Sequence, residues 1–279
     1  MKTLKEVLTL AADYLKQRKV AQARLAAETL LARLLQLQRI ELYLYFDRPL
    51  EEAELVVFRH YLKRASQHEP IAYILGEVEF YHTTLRVTPD VLIPRQETEL
   101  LLDRVCKSLE GNEKRALDLC CGSGCLAIGL KKAHPHLDVV GVDVSEAALK
   151  VARSNAERNQ APVTFIQSDL VKELRTQKFD LILCNPPYIK TDDYLNLEPS
   201  VKNFEPKMAL VAGSSGYEFF ERLKEELPQV TTSGAKVFFE IASGQGEGVK
   251  ALFSSPSWGS ARVEHDWAGH ERFFFLIST

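Results

Sequence analysis

Residues 116–127 read ALDLCCGSGCLA. A short apolar run closes on Asp118 and Leu119, glycines follow at 122 and 124, and an apolar helical pattern starts at once. Glycines at a strand-to-helix turn let the chain bend sharply and let a ligand approach the backbone, with the helix N-terminus behind it. The signal is weak by itself. Gly122-x-Gly124-x-x-Ala127 also satisfies the loose dinucleotide fingerprint, with Asp143 about 20 residues on, where a ribose-binding acid belongs. A tight turn that holds no ligand is the plainer alternative.

The flanking sequence decides between them. DVVGVD (138–143), VTFIQSD (163–169) and FDLILCN (179–185) read, like ALDLC (116–120), as buried strands, and helical patterns such as SEAALKVARSNAERN (145–159) separate them. This alternation predicts a mostly parallel sheet with helices on both faces. A helix near 216–227, a strand over 235–242 and a helix near 246–253 continue the pattern. The closing strands near 260–264 and 271–277 leave no room for a helix between them, so they form an antiparallel C-terminal hairpin.

The first part of the chain has a different grammar. Leu4, Val7, Leu8, Ala11 and Leu15 follow the spacing of one helical face, as do Ala23, Ala27, Leu30, Leu31 and Leu34, and then Leu55, Phe58, Leu62 and Ala65. Residues 1–70 therefore read as a small all-helical domain. EVEFYHTTLRVTP (77–89) alternates apolar and polar residues about a turn near His82-Thr83, a β-hairpin within a linker over 71–96. The α/β domain takes the rest, 97–279. No repeat or low-complexity segment interrupts it.

Composition narrows the class further. Of the 279 residues 46% are hydrophobic and 26% charged, the balance of an ordinary globular chain. A net charge of -3 offers no broad attraction to polyanions. Lys5, Glu6 and Asp13 break the apolar pattern of the N-terminus, which argues against a signal peptide, and no stretch is long enough to span a bilayer. A cytoplasmic location is expected. The five cysteines, Cys106, Cys120, Cys121, Cys125 and Cys184, have no paired metal-ligand spacing and read as small buried hydrophobes. His134 and His136 flank a proline at a helix end and read as surface residues, so no metal is expected.

Asp118, Asp143, Asp169 and Asn185 each close a different strand, and that edge of an open α/β sheet is where ligands bind. Four polar strand ends in a row suggest a nucleoside-bearing ligand: its amino acid or phosphate part at Gly122 to Gly124, ribose hydroxyls at Asp143, adenine at Asp169. The fourth strand runs on as LILCNPPYIK (181–190). Two prolines remove backbone donors and stop the ladder. Asn185 is neutral, with an amide oxygen that accepts and an NH2 that donates. A proline carbonyl, that of Pro186, offers a second acceptor, and Tyr188 an aromatic face. The set describes a holder for a planar NH2 group, whose delocalised lone pair becomes available when both hydrogens are held. The electrophile implied is a sulfonium methyl, hence S-adenosylmethionine. A plain turn at a strand end is the alternative.

These residues carry a resemblance. Asp118-x-Cys120-x-Gly122-x-Gly124 with Asp143 is similar to the cofactor half of class I methyltransferases, and Asn185-Pro186-Pro187-Tyr188 to the signature of those that methylate amide or exocyclic amino nitrogen. PIAYILGEVEFY (70–81), VLIPRQETELLL (91–102) and FEPKMALVAGSSGYEFF (204–220) extend the match, from about residue 70 to the end, to the HemK/PrmC family. The resemblance implies a class I methyltransferase-like sheet preceded by a small helical substrate-binding domain, and methylation at N5 of the glutamine in the Gly-Gly-Gln motif of peptide-chain release factors. It puts cofactor contacts at Asp118, Cys120, Cys121, Gly122, Ser123, Gly124, Asp143, Asp169, Leu170 and Asn185. Catalytic and substrate contacts fall on Asn185, Pro186, Pro187 and Tyr188. Cys120 stands where many members have glycine, and Leu170 where Trp or Phe is common.

Arg95, Glu97 and Glu99 in PRQETE also match, but Thr98 and Glu99 read first as residues that help start a helix. Glu205-Pro206 reads as shaping a loop near the pocket. Three other functions fit parts of the pattern. A nucleic-acid adenine N6-methyltransferase would hold the same flat NH2, but needs base flipping and a basic surface. A non-catalytic adaptor with a vestigial nucleoside site is disfavoured by the intact Asn185 to Tyr188. An NAD oxidoreductase leaves Asn-Pro-Pro-Tyr without a role.

Overall fold

Leu4, Val7, Leu8, Ala11 and Leu15 line one side of α1 (Leu4–Gln17), and all five are buried. Thr3 caps the helix: its hydroxyl accepts the Glu6 N–H, and the Glu6 carboxylate accepts the Thr3 N–H at 2.8 Å. α2 (Ala23–Leu34), α3 (Glu52–Ala65) and the short α4 (Ile71–Leu75) follow. Their apolar faces meet in one core that includes Leu8, Leu30, Leu31, Phe58 and Ile74. The computed structural model describes residues 2–279. It divides into two compact units, Met1–Glu77 with Glu198–Phe204, and Val78–Leu197 with Glu205–Thr279.

This division differs from the sequence expectation at residues 71–96, which form no separate linker. Ile71, Ile74 and Leu75 pack in the helical core, whereas Val78, Phe80 and Leu85 pack in a core of the larger unit. The hairpin itself is present as β1 (Glu77–Phe80) and β2 (Thr83–Arg86). Its turn lies one residue earlier than expected, at Tyr81 and His82, whose φ angles are 40° and 60°. Positive φ at both central positions is the signature of a type I′ two-residue hairpin turn, so Thr83 already belongs to the return strand.

The larger unit continues with α5 (Gln96–Ser108), β3 (Arg115–Leu119), α6 (Cys125–Ala133), β4 (Asp138–Asp143) and α7 (Glu146–Arg158). Next come β5 (Thr164–Gln167), β6 (Phe179–Cys184) and β7 (Ile189–Lys190). α8 (Pro199–Lys202), which groups with the helical unit, precedes β8 (Val211–Gly213) and α9 (Glu218–Glu226). β9 (Thr231–Glu240), α10 (Gly246–Leu252), β10 (Trp258–His265) and β11 (Glu271–Ser278) complete the chain. β7 and β8 form a small parallel pair of their own that the sequence reading did not contain.

Seven strands make one sheet in the order β10-β11-β9-β6-β3-β4-β5. The five from β9 to β5 are parallel, and β11 runs antiparallel to both β9 and β10. This is the α/β fold expected, C-terminal hairpin included. Alternate strand residues serve opposite faces. Leu117, Val140, Ile182 and Val237 meet Phe220 and Val249 on one side, while Ala116, Val139, Leu181 and Phe238 meet Leu101, Leu102 and Leu130 on the other. The chain runs outward from β3 through β4 to β5 and then returns to the far side of β3. The carboxyl ends of β3, β4 and β6 thus flank a topological switch point, where open α/β sheets bind ligands.

Asn155 on α7 is fully buried and holds the turn after β3 in place. Its oxygen accepts the Arg86 N–H at 2.7 Å, and its NH2 donates to the carbonyls of Arg86 and Ser123 at 3.0 Å. Asn155→Ala leaves the buried Ser123 carbonyl and the part-buried Arg86 groups without this partner, so it should destabilise the protein by roughly 1–3 kcal/mol. Urea unfolding of the two proteins measures this, and a loss below about 1 kcal/mol contradicts it. Among the described residues no helix is long and apolar enough to cross a membrane.

Candidate functional site

A cleft opens over the carboxyl ends of β3, β4, β5 and β6. Its walls include Asp118, Cys120, Cys121, Gly122, Ser123, Asp143, Asp169, Leu170, Asn185 and Pro187. Asp90, Pro94, Thr98, Met208 and Phe219 also line it, none of them expected there, and so does Pro206, in the loop that the sequence places near the pocket. Glu205 joins two of the added walls: its carboxylate pairs with Arg95 and accepts the Ile93 N–H.

Asp118 lies at the floor. One carboxylate oxygen accepts the Ala127 N–H of α6 at 3.0 Å, and the other, Oδ1, is buried with no hydrogen-bond partner. Burial, followed by the nearby Asp143 charge, pushes its pKa up to about 8, against the Ala127 N–H. A buried acceptor without a donor is costly, and a cleft-lining one suits a donor carried by a ligand. Asp143, at the end of β4, is half-buried; its oxygens accept the Gly122 and Ser145 N–H groups, both at 2.9 Å. Burial raises its pKa against those bonds. It shapes the glycine turn while keeping lone pairs for a ligand hydroxyl. Gly124 has φ 80°, and a Cβ there would lie 3.1 Å from Ile128 Cδ1 and 3.2 Å from Phe165 Cζ. Orphaned acceptor, glycine turn and second carboxylate together fit the amino acid and ribose portions of S-adenosylmethionine.

Asp169 is placed differently from its neighbours. It lies two residues beyond β5, and its carboxylate is paired with Lys172 at 2.5 Å and Arg222 at 2.8 Å. The Lys172 hydrogen bond, aided by Arg222, holds its pKa below the ordinary carboxylate range. Leu170 is buried in the apolar cluster beneath the cleft. Both departures from the family pattern, Cys120 and Leu170, have left-handed backbones, with φ of 58° and 53°. At Cys120 that conformation accounts for glycine in other members. Relief of the strain outweighs the added chain entropy, so Cys120→Gly should stabilise the protein by roughly 0.5–1 kcal/mol. A lower denaturation midpoint would show that the thiol's packing matters more than its backbone. Burial raises the pKa of the Cys121, Cys125 and Cys184 thiols, which keeps them protonated and unreactive.

Asn185 leaves β6 and donates from its NH2 to Thr98 Oγ1 at 3.2 Å. Thr98 in turn donates to Glu240 Oε2 at 2.6 Å, and the Tyr188 hydroxyl donates to Glu240 Oε1 at 3.2 Å. Pro186 is buried, and neither it nor Tyr188 is part of the cleft wall. The Tyr188 ring packs against the core, and burial raises the pKa of its phenol. Thr98 does not cap α5, whose N-cap is Arg95; its side chain is buried and turned to Glu240. Glu99 accepts the Tyr81 N–H at 3.1 Å.

Glu240 is the functional candidate the sequence reading missed. It closes β9, is 2% exposed, and burial raises its pKa. The signal was available, since a polar residue ends a buried strand here as it does at Asp118 and Asn185. Among the described residues no three His, Cys, Asp or Glu side chains gather as a metal-binding set.

Residues 6–76 match the family model of the PrmC N-terminal domain, and residues 96–198 that of the methyltransferase small domain. The chain is 39% identical over 270 residues to the release factor glutamine methyltransferase of Geobacter sulfurreducens, covering 97% of this chain and 95% of that one. It is 36% identical over 270 residues to the protein of the same name from Leptospira interrogans, covering 95% and 94%. A methyltransferase structure from Pyrococcus furiosus superposes with a TM-score of 0.53 at 21% identity, over 70% of this chain and 87% of that one, a likeness of fold. The relatives match across both units, and the sheet edge carries an acidic pair beside Asn-Pro-Pro-Tyr. This chain therefore belongs to the release factor glutamine methyltransferase family.

Proposed function

We propose that this protein methylates the side-chain amide nitrogen, N5, of the glutamine in the Gly-Gly-Gln motif of a peptide-chain release factor, with S-adenosylmethionine as donor. The cofactor, when bound, supplies a methyl group on a positively charged sulfur. Asp118 Oδ1, the Gly122–Gly124 turn and Asp143 are the residues to hold it, with Leu170 as the apolar contact for adenine.

The observation that carries the reading is the orientation of Asn185. One N–H of its NH2 is donated to Thr98, which fixes the amide and leaves its oxygen as the acceptor it can offer the cleft. That oxygen accepts one N–H of the substrate carboxamide, and the Pro186 carbonyl accepts the other. Two fixed acceptors hold the amide nitrogen with its lone pair directed along the transfer line, which is positioning rather than acid–base chemistry. The Tyr188 ring, packed against the core and outside the cleft wall, is assigned to restrict the amide plane once substrate is bound. The nitrogen takes the methyl carbon as the carbon–sulfur bond breaks, and gives up one proton to solvent. The helical unit, matched by the PrmC N-terminal domain model, is assigned to the release factor protein.

Peptide mapping of a release factor after incubation with enzyme and cofactor tests the proposal. One added methyl is expected on the glutamine of the motif, and none on a factor in which that glutamine is replaced. An unchanged factor, or a methyl on another residue, overturns it.

A further inference from the structure

Glu240 reaches the cleft only through other side chains, yet its two oxygens take the only proton of each of two hydroxyls. Thr98 donates to Oε2 at 2.6 Å, a short bond within the range of a hydroxyl on a carboxylate. Tyr188 donates to Oε1. A hydroxyl has one proton and two acceptor lone pairs. With its proton committed to Glu240, Thr98 Oγ1 can only accept from Asn185. A flipped Asn185 would set its own oxygen against the Thr98 oxygen with no hydrogen between them.

We infer that Glu240 is a positioning residue for the methyl transfer: acting through Thr98, it fixes the hydrogen-bond polarity of Asn185 so that the amide oxygen, not the NH2, meets the substrate. The same constraint makes the Tyr188 oxygen an acceptor only, so this residue serves through its ring and not as a proton donor. The inference rests on the proposed role of Asn185.

Two substitutions separate polarity from packing. Glu240→Gln keeps the shape but replaces one acceptor with an NH2, which reverses the hydrogen-bond direction along one arm. Thr98→Val keeps the volume and removes the hydroxyl, whereas Thr98→Ser keeps the hydroxyl. Glu240→Gln and Thr98→Val are each expected to lower kcat by roughly tenfold or more, with KM for S-adenosylmethionine within about twofold of wild type. Thr98→Ser should recover most of the rate. In the unliganded 15N-labelled protein, the Asn185 side-chain NH2 signals, identified by their loss in Asn185→Ala, should shift in Glu240→Gln.

Near wild-type kcat in either of the first two variants, or equal losses in turnover and cofactor affinity, overturns the inference. So do unmoved Asn185 signals. If wild type fails to methylate the release factor, the proposed function falls, and the NMR comparison alone decides whether Glu240 orients Asn185.

Discussion

Asn185→Ala is expected to lower kcat by roughly 10²–10³-fold while leaving the dissociation constant of S-adenosylmethionine within about threefold of wild type. The asymmetry follows from what the side chain does. In the proposed role its oxygen accepts an N–H of the substrate nitrogen, a contact worth most when that nitrogen becomes pyramidal and loses amide resonance. The groups proposed to hold the cofactor, Asp118, the glycine turn and Asp143, belong to β3, the turn after it and β4. Deleting the amide also frees Thr98 Oγ1, which can take a water in the space left. Equilibrium binding of the cofactor and single-turnover methylation of a release factor measure the two quantities separately. Equal losses in both would place Asn185 in the cofactor site alone.

The second large effect is expected at Asp118, and it has two opposite signs. Asp118→Asn should weaken cofactor binding by roughly 10–100-fold, since a hydrogen bond to a charged group contributes about 1.5–3 kcal/mol. The substituted side chain must still accept the Ala127 N–H, which turns its NH2 toward the place where Oδ1 now waits for a donor. A carboxyl can release its proton to accept from the incoming donor, whereas the NH2 of the variant cannot, so donor then faces donor. The unliganded protein responds the other way. Burial pushes the pKa of folded Asp118 up to about 8 from an ordinary 3.8, so between these values the folded state holds a proton that the unfolded state has released. Stability of the unliganded wild type therefore falls as pH rises through this window and levels off above it. Asp118→Asn removes that slope, so the variant should gain stability on wild type from about pH 5 to about pH 9 in denaturant titrations. A variant less stable than wild type across the range would show that Asp118 is ionised and satisfied without ligand.

Those two residues were legible from the chain because each closes a buried strand. Strand and helix periods follow from which residues are apolar. Right-handed crossover connections then bring the carboxyl ends of parallel strands to one edge. Asp118, Asp143 and Asn185 could be placed together with no knowledge of their contacts, and so could the C-terminal hairpin, from the lack of room for a helix. The helical unit was legible for the same reason: Leu4, Val7, Leu8, Ala11 and Leu15 repeat at the helical period and are buried as that period requires.

Tertiary structure alone decided what each of those side chains is tied to. Thr98 and Glu240 are 142 residues apart in the chain, Thr98 and Asn185 87, and Tyr188 and Glu240 52, so no local pattern reports their bonds. Asp169 sits in the expected row, yet Arg222 arrives from α9 to claim it. The empty lone pairs of Asp118 and the left-handed backbone of Cys120 are likewise properties of the folded surroundings. Hydrophobic period is written in neighbouring residues and survives reading in one dimension. The direction of a hydrogen bond depends on which distant partner has already taken the proton, and that is settled only when the strands and helices have packed.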